Sequence, residues 1–331
     1  MTGVRLLVTG GAGFIGSHFV KRMLAAGEDV IVLDKFTYAG NTANLPEEVD
    51  CFRGDIAVRE DVDQIGRVDA IVNFAAETHV DRSILGPEEF IRTDVLGALV
   101  LLQVAEEMSA RLVQVSTDEV YGDVEPGWSS REDDPLRPSS PYSASKAGGD
   151  LQALAAVRTF GVNASITRGS NTYGPNQYPE KVLPLFTTNA LDEAPLPLYG
   201  DGRQVRDWLH VDDHCAAIEL VLREGEPGGV YNVGAGEEHE NVELARLIVE
   251  HLGADPSLIR HVDDRLGHDR RYSLDTTKIQ ALGWEPRRDW EEGVRSTIDW
   301  YRENRRWWEP IKRSGGFREY YDRQYTQRLT G

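Results

Sequence analysis

Arg5-Leu6-Leu7-Val8-Thr9-Gly10-Gly11-Ala12-Gly13-Phe14-Ile15-Gly16 decides the fold. Arg5 to Thr9 reads as a short buried strand, and Phe14 to Ala26 has helical apolar spacing that Gly27 ends. Between them, glycines at 10, 13 and 16 permit a tight turn and a close backbone approach to a pyrophosphate. The helix that follows aims its first amides at phosphate charge. Asp29 to Leu33 is a second β-rich run, closed by Asp34. A carboxylate there can accept hydrogen bonds from both ribose hydroxyls of an adenosine and repels a 2′-phosphate. The expected cofactor is therefore NAD rather than NADP, a preference that Lys35 tempers without reversing.

Outward from that turn, strands and helices alternate. Ala70 to Phe74, Arg111 to Ser116 and Asn163 to Thr167 read as strands. Pro87 to Met108 and Pro141 to about Gly161 read as helices. The pattern predicts an α/β protein with a Rossmann-type, doubly wound parallel sheet. From Asn171 onward prolines and glycines break the alternation, and Val242–Leu252 and Trp290–Glu303 read as amphipathic helices. The expectation is an NAD-binding domain over 1–170, with segments near 205–235 returning to it. Residues 171–331 then form mainly a smaller, interleaved mixed α/β domain for the substrate. The polar, Tyr/Arg-rich tail from Arg313 to Gly331 reads either as an arm on a neighbouring subunit or as a loosely ordered end.

The 331 residues carry a formal charge of −19 and are 40% hydrophobic. Such a surface disfavours nucleic acid and anionic bilayers but leaves room for a locally basic phosphate site. Cys51 and Cys215 lie far apart without metal-ligand spacing, which fits idle thiols in a reducing compartment. No signal peptide or membrane-length apolar run is read, so a cytoplasmic protein is expected.

Tyr142-Ser143-Ala144-Ser145-Lys146 places a phenol and an ammonium at i and i+4 on one helix face. A nearby cation favours the phenolate, so Tyr142 can serve as a base for a reacting hydroxyl. Ser116-Thr117-Asp118-Glu119-Val120-Tyr121-Gly122 lies at the C-terminal end of a strand, where open α/β sheets place their sites. Taken alone, the two acids read equally as a loop with a helix-capping Asp. Asp55 taken alone also reads as a cap.

The G-x-x-G-x-x-G spacing resembles the extended short-chain dehydrogenase/reductase superfamily. Thr117-Asp118-Glu119 resembles the nucleotide-sugar 4,6-dehydratases, above all those that act on dTDP-glucose. Ala75-Ala76-Glu77-Thr78-His79-Val80-Asp81-Arg82-Ser83, Asn171-Thr172-Tyr173-Gly174-Pro175 with Pro179-Glu180-Lys181, Arg206-Asp207-Trp208, Tyr231-Asn232-Val233-Gly234 and Gly267-His268-Asp269-Arg270-Arg271-Tyr272 are similar to that family's signatures.

The resemblance implies NAD contacts at Gly10, Gly13, Phe14, Ile15, Gly16, Asp34, Lys35, Thr37, Asp55, Ile56, Phe74, Ala75, Ala76, Thr93, Tyr142, Lys146 and Thr172. It implies a catalytic set of Thr117, Asp118, Glu119, Tyr142 and Lys146. Substrate contacts are implied at Thr78, Thr117, Asn171, Lys181, Val182, Pro197, Tyr199, Arg206, Asn232, Arg265, His268 and Tyr272. Lys181, Arg206, Arg265, Arg270 and Arg271 are the cations available to a diphosphate, with Arg206 and Lys181 preferred because their flanking motifs also match.

The implied reaction is oxidation at C4, loss of water across C5–C6 and reduction at C6, with Glu119 as base and Asp118 as acid. A nucleotide sugar, with dTDP-glucose foremost, is the implied substrate, and a homodimer paired through helices 88–108 and 142–160 the implied assembly. No metal is expected, because His210, His214 and His268 form no credible cluster. The family usually has Asn at Thr172 and Asp94, Ser at Thr78 and Pro at Leu266. A 4-epimerase or decarboxylase on a related sugar nucleotide is the alternative enzyme. A non-catalytic NAD-dependent sensor is the alternative class, and it predicts a damaged catalytic set.

Overall fold

A computed structural model describes residues 3–330. Among the described residues, twelve strands form three sheets. They are β1 (Arg5–Thr9), β2 (Asp29–Asp34), β3 (Asp50–Arg53), β4 (Ala70–Asn73), β5 (Arg111–Thr117), β6 (Ala164–Gly169), β7 (Asn171–Tyr173), β8 (Leu196–Tyr199), β9 (Val205–His210), β10 (Val230–Val233), β11 (Glu238–Glu240) and β12 (Ile259–Val262). The main sheet has seven parallel strands in the order β10-β6-β5-β4-β1-β2-β3. Strand order reverses between β1 and β4, and in open α/β sheets the ligand crevice lies at that point.

Both faces of the sheet are apolar. Val8, Val32, Val72, Val113, Phe19 and Val221 pack on one side, and Leu7, Ile31, Ile71, Leu112, Leu101 and Ala153 on the other. Near-continuous Val/Ile/Leu strands are what a sheet covered on both faces requires. The second half of the chain packs separately around Leu183, Phe186, Leu198, Trp208, Ile248 and Ile298. There β7, β9 and β11 make a three-stranded sheet, and β8 pairs with β12.

The expected Pro87–Met108 helix is a rod with a fault in it. Helical turns Glu88–Ile91 and Ala98–Met108 flank a π-helical stretch, Arg92–Gly97. Such bulges are frequent at functional sites, and this one buries Thr93 and Asp94. The tail corrects both readings of it. Gly315–Tyr321 and Gln327–Thr330 are helical, and Phe317, Tyr320 and Tyr325 are buried in the second core of the same chain. Four tyrosine and phenylalanine rings, Phe317, Tyr320, Tyr321 and Tyr325, gave the tail enough apolar area to fold back. No helix among the described residues is long and apolar enough to cross a membrane.

Candidate active site

The glycine turn is built for close approach. Gly10 has φ +66° and accepts at its carbonyl from Gly13 N–H at 3.1 Å. A Cβ on Gly10 would lie 2.6 Å from Ala75 N, and one on Gly16 would collide with the Gly10 carbonyl. The helix Phe14–Ala25 begins at Gly13 with no side-chain cap and no acid in its first turn. Its first amides therefore face the crevice free for an anion. Asp34 accepts from Ala12 N–H at 3.0 Å and from Phe36 N–H at 2.7 Å. Asp55 does cap locally, accepting from Ala57 N–H at 2.9 Å, while Lys35 and Arg92 lie 3.1 and 3.4 Å from its other oxygen.

An open cleft of about 1580 Å³ runs from this turn across the ends of β1, β4 and β5. Every residue expected to hold the dinucleotide lines it, as do Thr117, Asp118, Glu119, Tyr142 and Lys146. The uncapped amides, the glycine cradle and Asp34 together fit a dinucleotide such as NAD.

The catalytic candidates are positioned by ordinary local rules. A capping box between Ser140 and Ser143, with Pro141 at the first position, starts the helix Pro141–Phe160. This sets Tyr142 in its first turn and Lys146 one turn later. Lys146 Nζ donates to the Val115 carbonyl at 2.7 Å. At the end of β5, Thr117 caps a 3-10 turn, Asp118–Tyr121. Below that turn, Arg168 reaches Asp150 at 2.9 Å and donates to the Tyr121 hydroxyl at 2.7 Å. Tyr121 in turn donates to Asn232 at 2.8 Å. This buried, charge-assisted chain fixes the turn that carries the two acids.

The two acids sit in different fields. Asp118 is 3% exposed. Burial, then the charges of Glu119 and Asp207, push its carboxyl up to about 8. One of its oxygens has no partner, and Thr117 donates to the other at 3.1 Å. Burial also raises Glu119, but Arg265, Lys181 and Arg206 pull it back. Cations facing Glu119 and acids facing Asp118 suit a base and an acid respectively. Tyr142 departs from the expectation of a phenolate made by Lys146. Burial, Glu119 and Asp94 push the phenol well above its ordinary value, against a hydrogen bond with Thr117.

The remaining substrate candidates divide. Thr78, Asn171 and Lys181 line the cleft, and Lys181 donates to the Thr78 carbonyl at 2.6 Å. Val182 opens the helix Val182–Leu191, and Pro197 is buried in β8. Arg206 is buried and lies 4.3 Å over the Tyr272 ring, and Arg265 lies 3.6 Å from Asp81. Tyr272 donates to Asp269 at 2.6 Å. Tyr199 donates to Asp81 at 3.0 Å, beside His268, which lies 2.6 Å from Asp264.

Asn232, like Val182, Pro197, Tyr199, Arg206, Arg265, His268 and Tyr272, lies outside the residues lining this cleft. Its amide donates to the Ser130 and Asp275 carbonyls while accepting from Tyr121. Arg270 and Arg271 are engaged with Asp201 and Glu238. Sequence reasoning missed Glu77, a cleft residue pushed up to about 7 by burial and Asp94. It also missed His214, whose only sequence signal was a lone histidine.

The chain matches the family model described as GDP-mannose 4,6 dehydratase over residues 7–297. It is 52% identical over 322 residues to a dTDP-glucose 4,6-dehydratase of Streptomyces antibioticus, covering 94% of this chain and 96% of that one. It superposes on DesIV, a dTDP-glucose 4,6-dehydratase of Streptomyces venezuelae solved with NAD and TYD bound. That match has a TM-score of 0.91 and 53% identity, over 93% of this chain and 100% of the other. A UDP-glucose 4-epimerase of Thermus thermophilus in complex with NAD is more distant, with a TM-score of 0.87 and 36% identity over 91% of this chain and 99% of the other.

Proposed function

Because the chain belongs to the GDP-mannose 4,6 dehydratase family, we infer that it is an NAD-dependent hydro-lyase that turns dTDP-glucose into dTDP-4-keto-6-deoxyglucose. The observation that carries this reading is the Asp118–Glu119 pair in one cleft with Tyr142 and Lys146. A 4-epimerase has no use for a second acid and base beside the phenol.

The C5 proton of a hexose is not acidic until C4 is a ketone, so oxidation must precede elimination. Bound NAD supplies the two-electron acceptor at C4 and the donor at C6, together with a positive ring beside the phenol. Tyr142 takes the O4 proton, with Thr117 in the relay, and Lys146 holds the nicotinamide ribose. Glu119 removes the C5 proton. Asp118 delivers its proton to the departing C6 hydroxyl, which leaves as water. Glu119 returns a proton to C5 as C6 is reduced. Arg206, Arg265 and Lys181, the cations that face Glu119, bind the diphosphate.

The Asp118 role fixes the sign of a pH effect. The acid must be protonated, and burial with the charges of Glu119 and Asp207 pushes its carboxyl up to about 8. On this limb elimination slows about tenfold per unit above that pH, while at low pH protonation of the base Glu119 sets the other limb. A single-turnover rate that is flat through pH 8 to about 10 would exclude Asp118 as the acid.

The same reading includes a homodimer. Ile91, Leu96 and Leu99 on one long helix and Leu151 on the other are exposed, at 58%, 41%, 36% and 57%. Exposed apolar residues clustered on two neighbouring helices suit burial against a second copy. Leu99→Asp with Leu151→Asp is expected to convert the dimer to monomer on a sizing column, and an unchanged elution volume would contradict this. Cytoplasmic location belongs to the proposal too, supported by two free thiols.

The activity is tested by incubation with dTDP-glucose and, in parallel, with UDP-, CDP- and GDP-hexoses. A 4-keto product absorbing in alkali, formed best from the thymidine nucleotide, is expected. A 4-epimer formed without loss of water would overturn the reading.

A further inference from the structure

Among the described residues, the buried Nε2 of His214, which lines the cleft, has no hydrogen-bond partner. His214 lies in the first turn of the helix Val211–Glu224, is 2% exposed and lines the cleft. Its ring packs on Gly169, where a Cβ would come within 2.6 Å of Nε2. Its Nδ1 lies 2.7 Å from the Thr172 hydroxyl, and that hydroxyl also contacts the Ser170 carbonyl at 3.1 Å.

Only one tautomer lets both contacts be hydrogen bonds at once. A hydroxyl has one proton to give, and a carbonyl can only accept. With the Thr172 proton on Ser170, Nδ1–H must donate to Thr172 Oγ1. Nε2 is then a bare lone pair, and it has no hydrogen-bond partner among the described residues. Buried acceptors are costly when unpaired, so this one calls for a donor. Burial alone pulls the imidazole down to about 4, so it is neutral at ordinary pH and does not repel a cationic ring.

At the reactive end of NAD, the strong N–H donor is the carboxamide NH₂. We propose that His214 Nε2, oriented by Thr172, accepts a hydrogen bond from the nicotinamide carboxamide and so sets the rotation of the ring over Tyr142 and Lys146. The Thr172 hydroxyl is taken up by the Ser170 carbonyl and His214. Where the resembling family usually has Asn, this chain divides the task between Thr172 and His214. His214 is a positioning residue that acts on the cofactor and takes no part in proton transfer.

The inference rests on NAD as the cleft's cofactor, and the test separates the two. The full-length protein is equilibrated with equal NAD and 3-acetylpyridine adenine dinucleotide, whose methyl ketone has no N–H. Bound nucleotides are then counted by native mass spectrometry. The native chain is expected to favour NAD roughly tenfold and His214→Phe to favour neither. A folded His214→Phe that keeps the native preference overturns the proposal. If that variant does not fold, the native protein decides alone through ¹⁵N-histidine spectra. Protonated Nδ1 with bare Nε2, the latter shifting when NAD is added, is expected. Protonated Nε2, or no shift, overturns it. A native protein that binds neither nucleotide would break the cofactor reading itself, and this inference with it.

Discussion

Glu119→Gln is expected to lower turnover of dTDP-glucose by about 10²–10⁴-fold, the usual worth of a positioned general base. The change is nearly isosteric and removes only the basic oxygen. Glu119 faces Arg265, Lys181 and Arg206, which hold its carboxyl below where burial alone would leave it. An amide there leaves those cations available to the diphosphate, so substrate affinity is retained. The diagnostic readout is deuterium exchange at C5 in heavy water, which should stop while NAD remains bound. Exchange at the native rate would take the base role away from Glu119.

The second large effect belongs to the glycine turn. Gly10→Ala places a Cβ 2.6 Å from Ala75 N and 2.7 Å from Ala75 Cα, both backbone atoms that cannot swing aside. The residue also sits at φ +66°, a conformation that side chains disfavour by roughly 1–2 kcal/mol. Overpacking adds about 1–3 kcal/mol. Relief requires the β1 turn to withdraw from the loop after β4, and both border the cleft. Lower stability in urea and loss of copurified NAD are expected together. A variant with native stability that retains NAD would show that the turn has slack the geometry denies it.

The parts of the molecule that were legible in the sequence are those in which chemistry is local. Glycines at 10, 13 and 16 announce a strand-turn-helix because Gly10 takes a φ of +66° and a Cβ on Gly16 would collide with the Gly10 carbonyl. The observed β1 (Arg5–Thr9) and the helix Trp290–Glu303 have the limits their apolar periodicity implies. The Tyr142–Lys146 spacing and the acids at the end of β5 were visible for the same reason.

Long-range features were not legible. The π turn at Arg92–Gly97 breaks no composition rule. It is tied to tertiary contacts such as the Ser145 hydroxyl, which donates to Asp94 at 2.6 Å. The tail read as polar because its tyrosines are amphipathic. Their burial depends on partners far away in sequence, such as Tyr199, whose hydroxyl accepts from Gln324 at 2.6 Å. The hydrogen bonds of the Asn232 amide to the Ser130 and Asp275 carbonyls were also hidden, because only the fold brings those loops near. The proposed division of labour between Asp118 and Glu119 rests on which cations face which carboxyl, and no spacing rule contains that. The orphan Nε2 of His214 is likewise a fact of geometry, set by Thr172 and Ser170 across 42 and 44 positions of chain.

In the proposed cycle one cofactor moves a hydride within one sugar while Asp118 and Glu119 remove water. Turnover of dTDP-glucose deuterated at C4 follows that hydride. The label is expected at C6 of a 4-keto-6-deoxy product, with no exogenous NADH consumed. Deuterium returned to C4 of a hexose that still carries its C6 hydroxyl would contradict it.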